Sequence, residues 1–303
     1  MKLDGIHHIT CITGDAPRNV EFYTGTMGLR MVKKSVNQDD PTIYHLFYAD
    51  ELGSPGADIT FFEYPGAPRG RAGAGMVHRI IWRVDSPEAL VFWEGRLLDA
   101  GIEAARTDDR MRFFDPEGLG LELRVVETDD EPLRAKHPDV PEEFAITGFE
   151  GARAYSSDVD ASRDLFEKVL SFEDAGDASW EIRGATRGSF YAFDAAPAQH
   201  GLSGAGTVHH VAWATPMDEH QAWRDRIAER GYEVTPVIDR FWFRSIYFRE
   251  PSGVLFEIAT QGPGFSVDEP VDTLGEHLTL PPNFEHLRDK LAEVLTPLPN
   301  PRA

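Results

Sequence analysis

A chain of 303 residues with 41% hydrophobic and 11% aromatic content has the material for two globular domains. Its 51 acidic residues against 30 basic ones leave a net charge of −21, a surface that repels nucleic acid and anionic membrane and so argues against both as partners. No run approaches the roughly 18 apolar residues of a membrane span, and a single cysteine, Cys11, forbids a disulfide within the chain, which fits a cytoplasmic location.

The first element is a strand containing "GIHHIT" (5–10), reached from the N-terminus without a basic apolar leader, so no secretory signal is expected. A helix follows from Asp15 and carries Phe22; strands follow at "YHLFYADELGSPG" (44–56) and "ADITFFEYPG" (57–66). The glycine-rich "GRAGAG" (70–75) sits between Pro68 and the next strand and reads as a connector, not a phosphate loop. "GMVHRIIWRVD" (75–85) then predicts a strand, "SPEALVFWEGRLLDAGIEA" (86–104) an amphipathic helix closing at Gly101, and "FFDPEGLGLELRV" (113–125) an acid-Pro-x-Gly turn with a closing strand. A polar, proline-bearing linker covers 127–143.

The second half repeats the order. "GARAYSSDVDASRDLFEKVLSF" from 151 matches the first strand and helix, with Asp158 and Phe166 at the places of Asp15 and Phe22. "GTVHHVAWAT" (206–215), the helix ending at Gly231 and "YFREPSGVLFEIA" (247–259) match the second unit. The chain thus reads as four strand–helix–strands units, near 5–65, 75–127, 148–195 and 206–262. They group into halves 1–130 and 145–262, followed by a tail, 263–303, with one short helix in "FEHLRDKLAEVL". Acid-rich, lysine-poor composition (six lysines among the 30 basic residues) resembles proteins of salt-accumulating microbes; a GC-rich genome gives the same bias.

Each His–His pair lies in an apolar strand, whose successive side chains face opposite ways. His8 shares its face with Thr10, His210 with Ala212 and Ala214, and Glu257 with Leu255 and Ala259. The other faces carry Ile9, Trp213, Phe256 and Ile258, as packing against helices requires. The small or polar faces select His8, His210 and Glu257 as a two-imidazole, one-carboxylate metal site, which leaves coordination positions open. Buried among Leu, Phe and Ile, Glu257 needs either a cation or an ion pair, for which Arg240 is the candidate. At the matching places the second and third units carry Arg79 and Ala152 in place of the histidines, so Glu122 is expected to pair with Arg79, and one metal per chain is expected.

Four such units resemble the vicinal oxygen chelate superfamily of glyoxalases and extradiol ring-cleaving dioxygenases. The resemblance implies an α+β fold of four βαβββ modules paired into two open, barrel-like mixed sheets with helices outside. Ligands from the first and fourth modules narrow it to the hydroquinone ring-cleaving dioxygenases, as do "TVHHVAW", "DRFWFRSIYFREPSGVLFE" (239–257) and "GFSVDE". That resemblance implies Fe(II), with Mn or Zn also suited to these ligands, acting on a small aromatic substrate and O2 in a homodimer or higher homo-oligomer. It also implies pocket or supporting roles for His7, Thr10, His209, Arg240 and Tyr247. Alternation places His7 and His209 away from the metal, where they are either core histidines or supports of the ligands. Two rival functions share the fold: a glyoxalase-like isomerase or transferase, for which Glu63 is the candidate fourth ligand, and a metal-free small-molecule binder.

Overall fold

The computed structural model describes residues 1–301 and contains sixteen strands in four successive sets of four. The first set is β1 (Ile6–Thr13), β2 (Arg30–Val36), β3 (Tyr44–Ala49) and β4 (Asp58–Glu63). The second is β5 (Met76–Val84), β6 (Ala105–Arg106), β7 (Arg110–Phe114) and β8 (Gly120–Val125). The third is β9 (Phe149–Ser156), β10 (Glu173–Gly176), β11 (Ser179–Arg183) and β12 (Gly188–Ala195). The fourth is β13 (Thr207–Thr215), β14 (Ile238–Asp239), β15 (Arg244–Arg249) and β16 (Leu255–Thr260).

One helical segment follows the first strand of each set. Asp15 caps the first, α1 (Ala16–Val20), by accepting the Arg18 amide, and α1 widens into a π-turn over Glu21–Thr26. Ser86 caps α2 (Pro87–Asp99) in the same way. The third module has only short turns, at Asp160–Ser162 and Leu165–Val169; the fourth has α3 (His220–Glu229). Gly101 and Gly231, at φ 73° and 86°, end α2 and α3 in the left-handed region that side chains disfavour. The acid-Pro turns also repeat. Asp115 Oδ1 accepts the amides of Glu117 and Leu119, while Glu250 accepts those of Ser252 and Val254.

The strands form two eight-stranded mixed sheets, in the orders β14-β15-β16-β13-β1-β4-β3-β2 and β10-β11-β12-β9-β5-β8-β7-β6. Each sheet takes one module from either side of the linker: the first pairs with the fourth and the second with the third. Halves 1–130 and 145–262 are therefore interlocked through their sheets. At each module junction the leading strands run antiparallel, β1 against β13 and β5 against β9.

Between sheets and helices lies a core containing Trp82, Trp93, Trp180, Trp213 and Trp223, none of them accessible to solvent. Chain beyond 262 returns to the first sheet and ends in α4 (Arg288–Val294). The buried Lys33 of β2 holds it by donating to Asp268 (2.9 Å) and Glu269 (2.5 Å). Phe265 of this tail packs on Phe47 and Trp242, both of which line the cleft described below. Among the described residues, no helix is long and apolar enough to cross a membrane.

Candidate metal centre

Three adjacent strands bring His8, His210 and Glu257 to one point. Register pairs Thr10 with His210 and His8 with Ala212 across β1 and β13, and sets Glu257 of parallel β16 beside Ala212. The two Nε2 atoms are 3.3 Å apart; Glu257 Oε2 lies 3.3 Å from that of His8 and 2.9 Å from that of His210. All three side chains are buried, and their ligand atoms fall within 4.8 Å of one another, the one such convergence of His, Cys, Asp and Glu among the described residues.

His7 and His209 are the extra residues of two β-bulges. Between Ile6 and His8, β1 advances two residues while β13 advances one; between Val208 and His210 the imbalance reverses. A bulge re-aims the side chain it inserts, and each extra histidine reaches its neighbour's ring. His8 Nδ1 is 2.9 Å from His7 Nδ1, and His209 Nδ1 is 2.8 Å from His210 Nδ1.

The first contact determines tautomers. His7 Nε2 lies 3.1 Å from the Thr260 carbonyl, which only accepts, so the His7 proton is on Nε2 and Nδ1 is bare. Burial, then the neighbouring His8, depresses the His7 pKa to about 3, so His7 is neutral. His8 must then donate from Nδ1, which leaves its Nε2 lone pair facing His210 and Glu257. We assign the mirrored tautomer to the second pair, with His210 donating to His209. His209 is packed against the rings of Phe62 and His210, and desolvation, then His210, lowers its pKa to about 4 although one edge meets solvent.

These protons leave two bare imidazole nitrogens and a carboxylate directed at one another. Neither oxygen of Glu257 receives a hydrogen bond. Burial pushes the Glu257 carboxyl up, whereas positive charge at His8 and His210 holds it well below the usual range; with both rings neutral, a cation held by their bare nitrogens supplies that charge. Three buried acceptors without a donor cost several kcal/mol, roughly, unless a cation lies among them. A nitrogen–nitrogen–oxygen set of this kind suits a divalent first-row metal.

The cleft above the three ligands is lined by Arg240, Tyr247, His45, Phe62, Trp242 and Phe243, among others. Arg240 pairs with Asp39, at 2.9 and 3.1 Å, and not with Glu257; its guanidinium stands 5.6 Å from the Tyr247 ring centroid. Burial, then the Glu257 charge, pushes the Tyr247 phenol up and keeps it protonated. His7, His209 and Thr10 do not line the cleft. Glu63 lies elsewhere, accepting from the Ala16 amide and the Thr296 hydroxyl.

Sequence reasoning passed over His45. It projects from β3 between Phe47 and Phe62, with ring centroids 3.9 and 4.4 Å away. Its Nε2 is 2.9 Å from Thr60 Oγ1, which is 2.7 Å from Thr10 Oγ1, so Thr10 connects to the cleft through two further residues. Burial lowers its pKa well below the ordinary value, and positive charge at the His8–His210 position lowers it further. The signal available was a histidine sharing its strand face with Phe47 in "YHLFYA", within an otherwise apolar strand.

The second sheet carries the counterpart site without ligands. Arg79 takes the place of His210 and Glu122 that of Glu257, but register puts Gly151, opposite Ile81, where β1 has His8. This corrects the expected Ala152: Glu150 is the extra residue of a bulge that matches the one at His7, so Gly151, one place before Ala152, falls where β1 has His8. Glu122 is bound by Arg112 at 2.8 Å and Arg124 at 2.7 Å, with Arg79 farther off at 3.8 Å.

The Glyoxalase/Bleomycin resistance protein/Dioxygenase superfamily profile matches residues 5–123 and 149–258. The chain belongs to this superfamily. It is 41% identical over 304 residues to the candidate ring-cleaving dioxygenase MhqO of Bacillus subtilis (strain 168), covering 98% of this chain and 97% of that protein. It is 28% identical over 312 residues to the chlorohydroquinone/hydroquinone 1,2-dioxygenase of Sphingobium indicum, covering 97% and 96%. A crystal structure of a candidate dioxygenase from Bacillus subtilis superposes with a TM-score of 0.92, at 41% identity and 98% coverage of each chain. Glyoxalase I of Zea mays, 14% identical with a TM-score of 0.60 over 90% of this chain and 97% of that one, shares the fold.

Proposed function

We propose that this member of the superfamily is a ring-cleaving dioxygenase that opens hydroquinone-like rings with O2 at Fe(II) held by His8, His210 and Glu257. One observation carries the reading: the Nε2 atoms of His8 and His210 and a buried Glu257 carboxylate that receives no hydrogen bond converge beneath a cleft walled by aromatic rings, a phenol and a guanidinium. Relatives named as ring-cleaving dioxygenases over nearly the whole chain support it.

When bound, the metal supplies a redox-active Lewis acid with coordination positions that three protein ligands leave free. The protein's own groups do the rest. Phe47, Phe62 and Phe243 hold a flat ring and exclude water from it. Tyr247, protonated across the working pH range, offers a hydrogen bond above Glu257. Arg240, fixed by Asp39, presents charge to an oxyanion developing on the substrate. His45, neutral, is the group placed to take a proton from a substrate hydroxyl, its ring held by Thr60.

Oxygen uptake tests the proposal. Protein purified anaerobically and loaded with Fe(II) is expected to consume one O2 per ring opened with hydroquinone or methylhydroquinone, and His210→Ala is expected to consume none. Iron binding without uptake on any hydroquinone or catechol would overturn the dioxygenase reading.

A further inference from the structure

The positions that form the metal cleft in the first sheet are occupied in the second by arginines. Register equates Arg79 with His210, Arg153 with Thr10, Arg112 with Tyr247, Arg110 with Ser245 and Arg124 with Ala259. In a chain of net charge −21, five guanidinium groups here share three carboxylates: Glu122, Asp194 and Asp109. That leaves a surplus of two positive charges on one concave face.

Most of these arginines are satisfied. Arg153 grips Asp194 through two bonds of 2.7 and 2.8 Å, Arg110 grips Asp109, and Arg112 and Arg124 between them take both oxygens of Glu122. Arg79 is the exception. Only a fifth of its side chain meets solvent, its nearest carboxylate is 3.8 Å away on the already occupied Glu122, and its N–H groups make no hydrogen bond to the described residues. Desolvation, then Arg112, lowers its pKa. A half-buried fork with unused donors, crowded by like charges, is the arrangement that binds an oxyanion. Flat walls flank it: Tyr155 stacks on His78 at 3.9 Å between centroids, and Phe190 lies 4.9 Å from the Arg124 guanidinium.

We propose that the concave face of the second sheet is a binding site for a small oxyanion, a carboxylate or a phosphate, with Arg79 as its principal donor and Arg112 as the second. The site is separate from the metal centre and does not depend on the activity proposed for it.

Calorimetric titration of the full chain at low ionic strength with sodium succinate and with inorganic phosphate tests this, with chloride as the ionic-strength control. Saturable binding of succinate, phosphate or both is expected, and the arm that binds more tightly identifies the class. Arg79→Gln is expected to weaken it about tenfold or more, with Arg79→Lys intermediate because it keeps charge but loses the fork. His210→Ala and Arg106→Gln, the latter altering an exposed pair with Glu94, are expected to bind like the unaltered protein. A melting curve without anion separates ligand binding from a structural role: Arg79→Gln should melt no lower than the parent and lose only the stabilisation that anion adds. Absence of saturable binding in both arms, undiminished binding by Arg79→Gln, or a lower anion-free melting temperature in that variant would overturn the proposal.

Discussion

His7 Nδ1 lies 2.9 Å from His8 Nδ1 while its other nitrogen is anchored 3.1 Å from the Thr260 carbonyl. A backbone carbonyl at one end therefore dictates which nitrogen of His8 is bare at the other, two bonds and one ring away. The paired histidines thus divide the work: one directs a lone pair at the metal position, the other holds the tautomer that makes this possible.

Removing that anchor should weaken metal binding without deleting a ligand. In His7→Phe, the His8 Nδ1–H loses its acceptor, so the ring rotates and its tautomers mix. Affinity for Fe(II) or Zn(II) should fall roughly 10- to 100-fold, measured by competition with a chelator. His7→Asn, whose amide oxygen can accept from Nδ1, should recover part of the loss. Equal affinity of His7→Phe and the parent would sink the relay.

How much of this was legible in sequence differs from residue to residue. The repeat, its capping glycines and the selection of His8, His210 and Glu257 needed only side-chain alternation and apolar patterning. His7 and His209 lay beyond that rule because each is the inserted residue of a bulge, where alternation fails. The match of His8 to Ala152 was one residue out because β9 carries neither histidine, so the pairing of Glu150 with His7 and Gly151 with His8 rests on register alone. His45 was hidden because a single histidine in a strand carries no spacing to compare, and its relation to Thr60 and Thr10 exists only across three strands. The interlocking of modules across the linker is likewise a long-range fact that no local pattern encodes.

Stripping the metal should destabilise the parent, and Glu257→Gln should reverse the sign of that effect. Without a cation, Glu257 faces two bare nitrogens; a glutamine amide donates to one of them instead. The variant should therefore unfold later than the metal-free parent by about 1–3 kcal/mol, or about 2–6 °C in Tm, yet gain nothing when metal is added. Calorimetry with and without chelator separates the two. A metal-free Glu257→Gln that melts below the metal-free parent would contradict the account of three converging acceptors.

His45 should matter to turnover and not to metal retention. His45→Phe keeps the ring stack with Phe47 and Phe62 but cannot accept a proton or engage Thr60. Metal affinity should stay within about threefold of the parent's, while kcat with the best hydroquinone falls roughly 10²- to 10⁴-fold. Thr60→Val should show a smaller loss by freeing the His45 ring. Unchanged kcat in His45→Phe would remove this residue from the reaction.

A pH-dependent stability difference should distinguish Asp115→Asn from the parent. Asp115 is buried in the acid-Pro turn; desolvation raises its pKa to about 6, although the Leu119 and Glu117 amides and the Tyr23 hydroxyl partly oppose this. A carboxyl whose folded value exceeds its unfolded value, near 3.9, is most stabilising while protonated. Its contribution is complete below about pH 4 and disappears as pH rises through 6, a change of roughly 2–3 kcal/mol. Asparagine keeps the two amide bonds through its oxygen and never ionises. Its stability relative to the parent should therefore climb between pH 4 and 6 and level off above, read from urea midpoints across that range. A flat difference would mean that Asp115 is ionised in the folded chain at pH 4, with its turn amides stabilising the charge more strongly than burial opposes it.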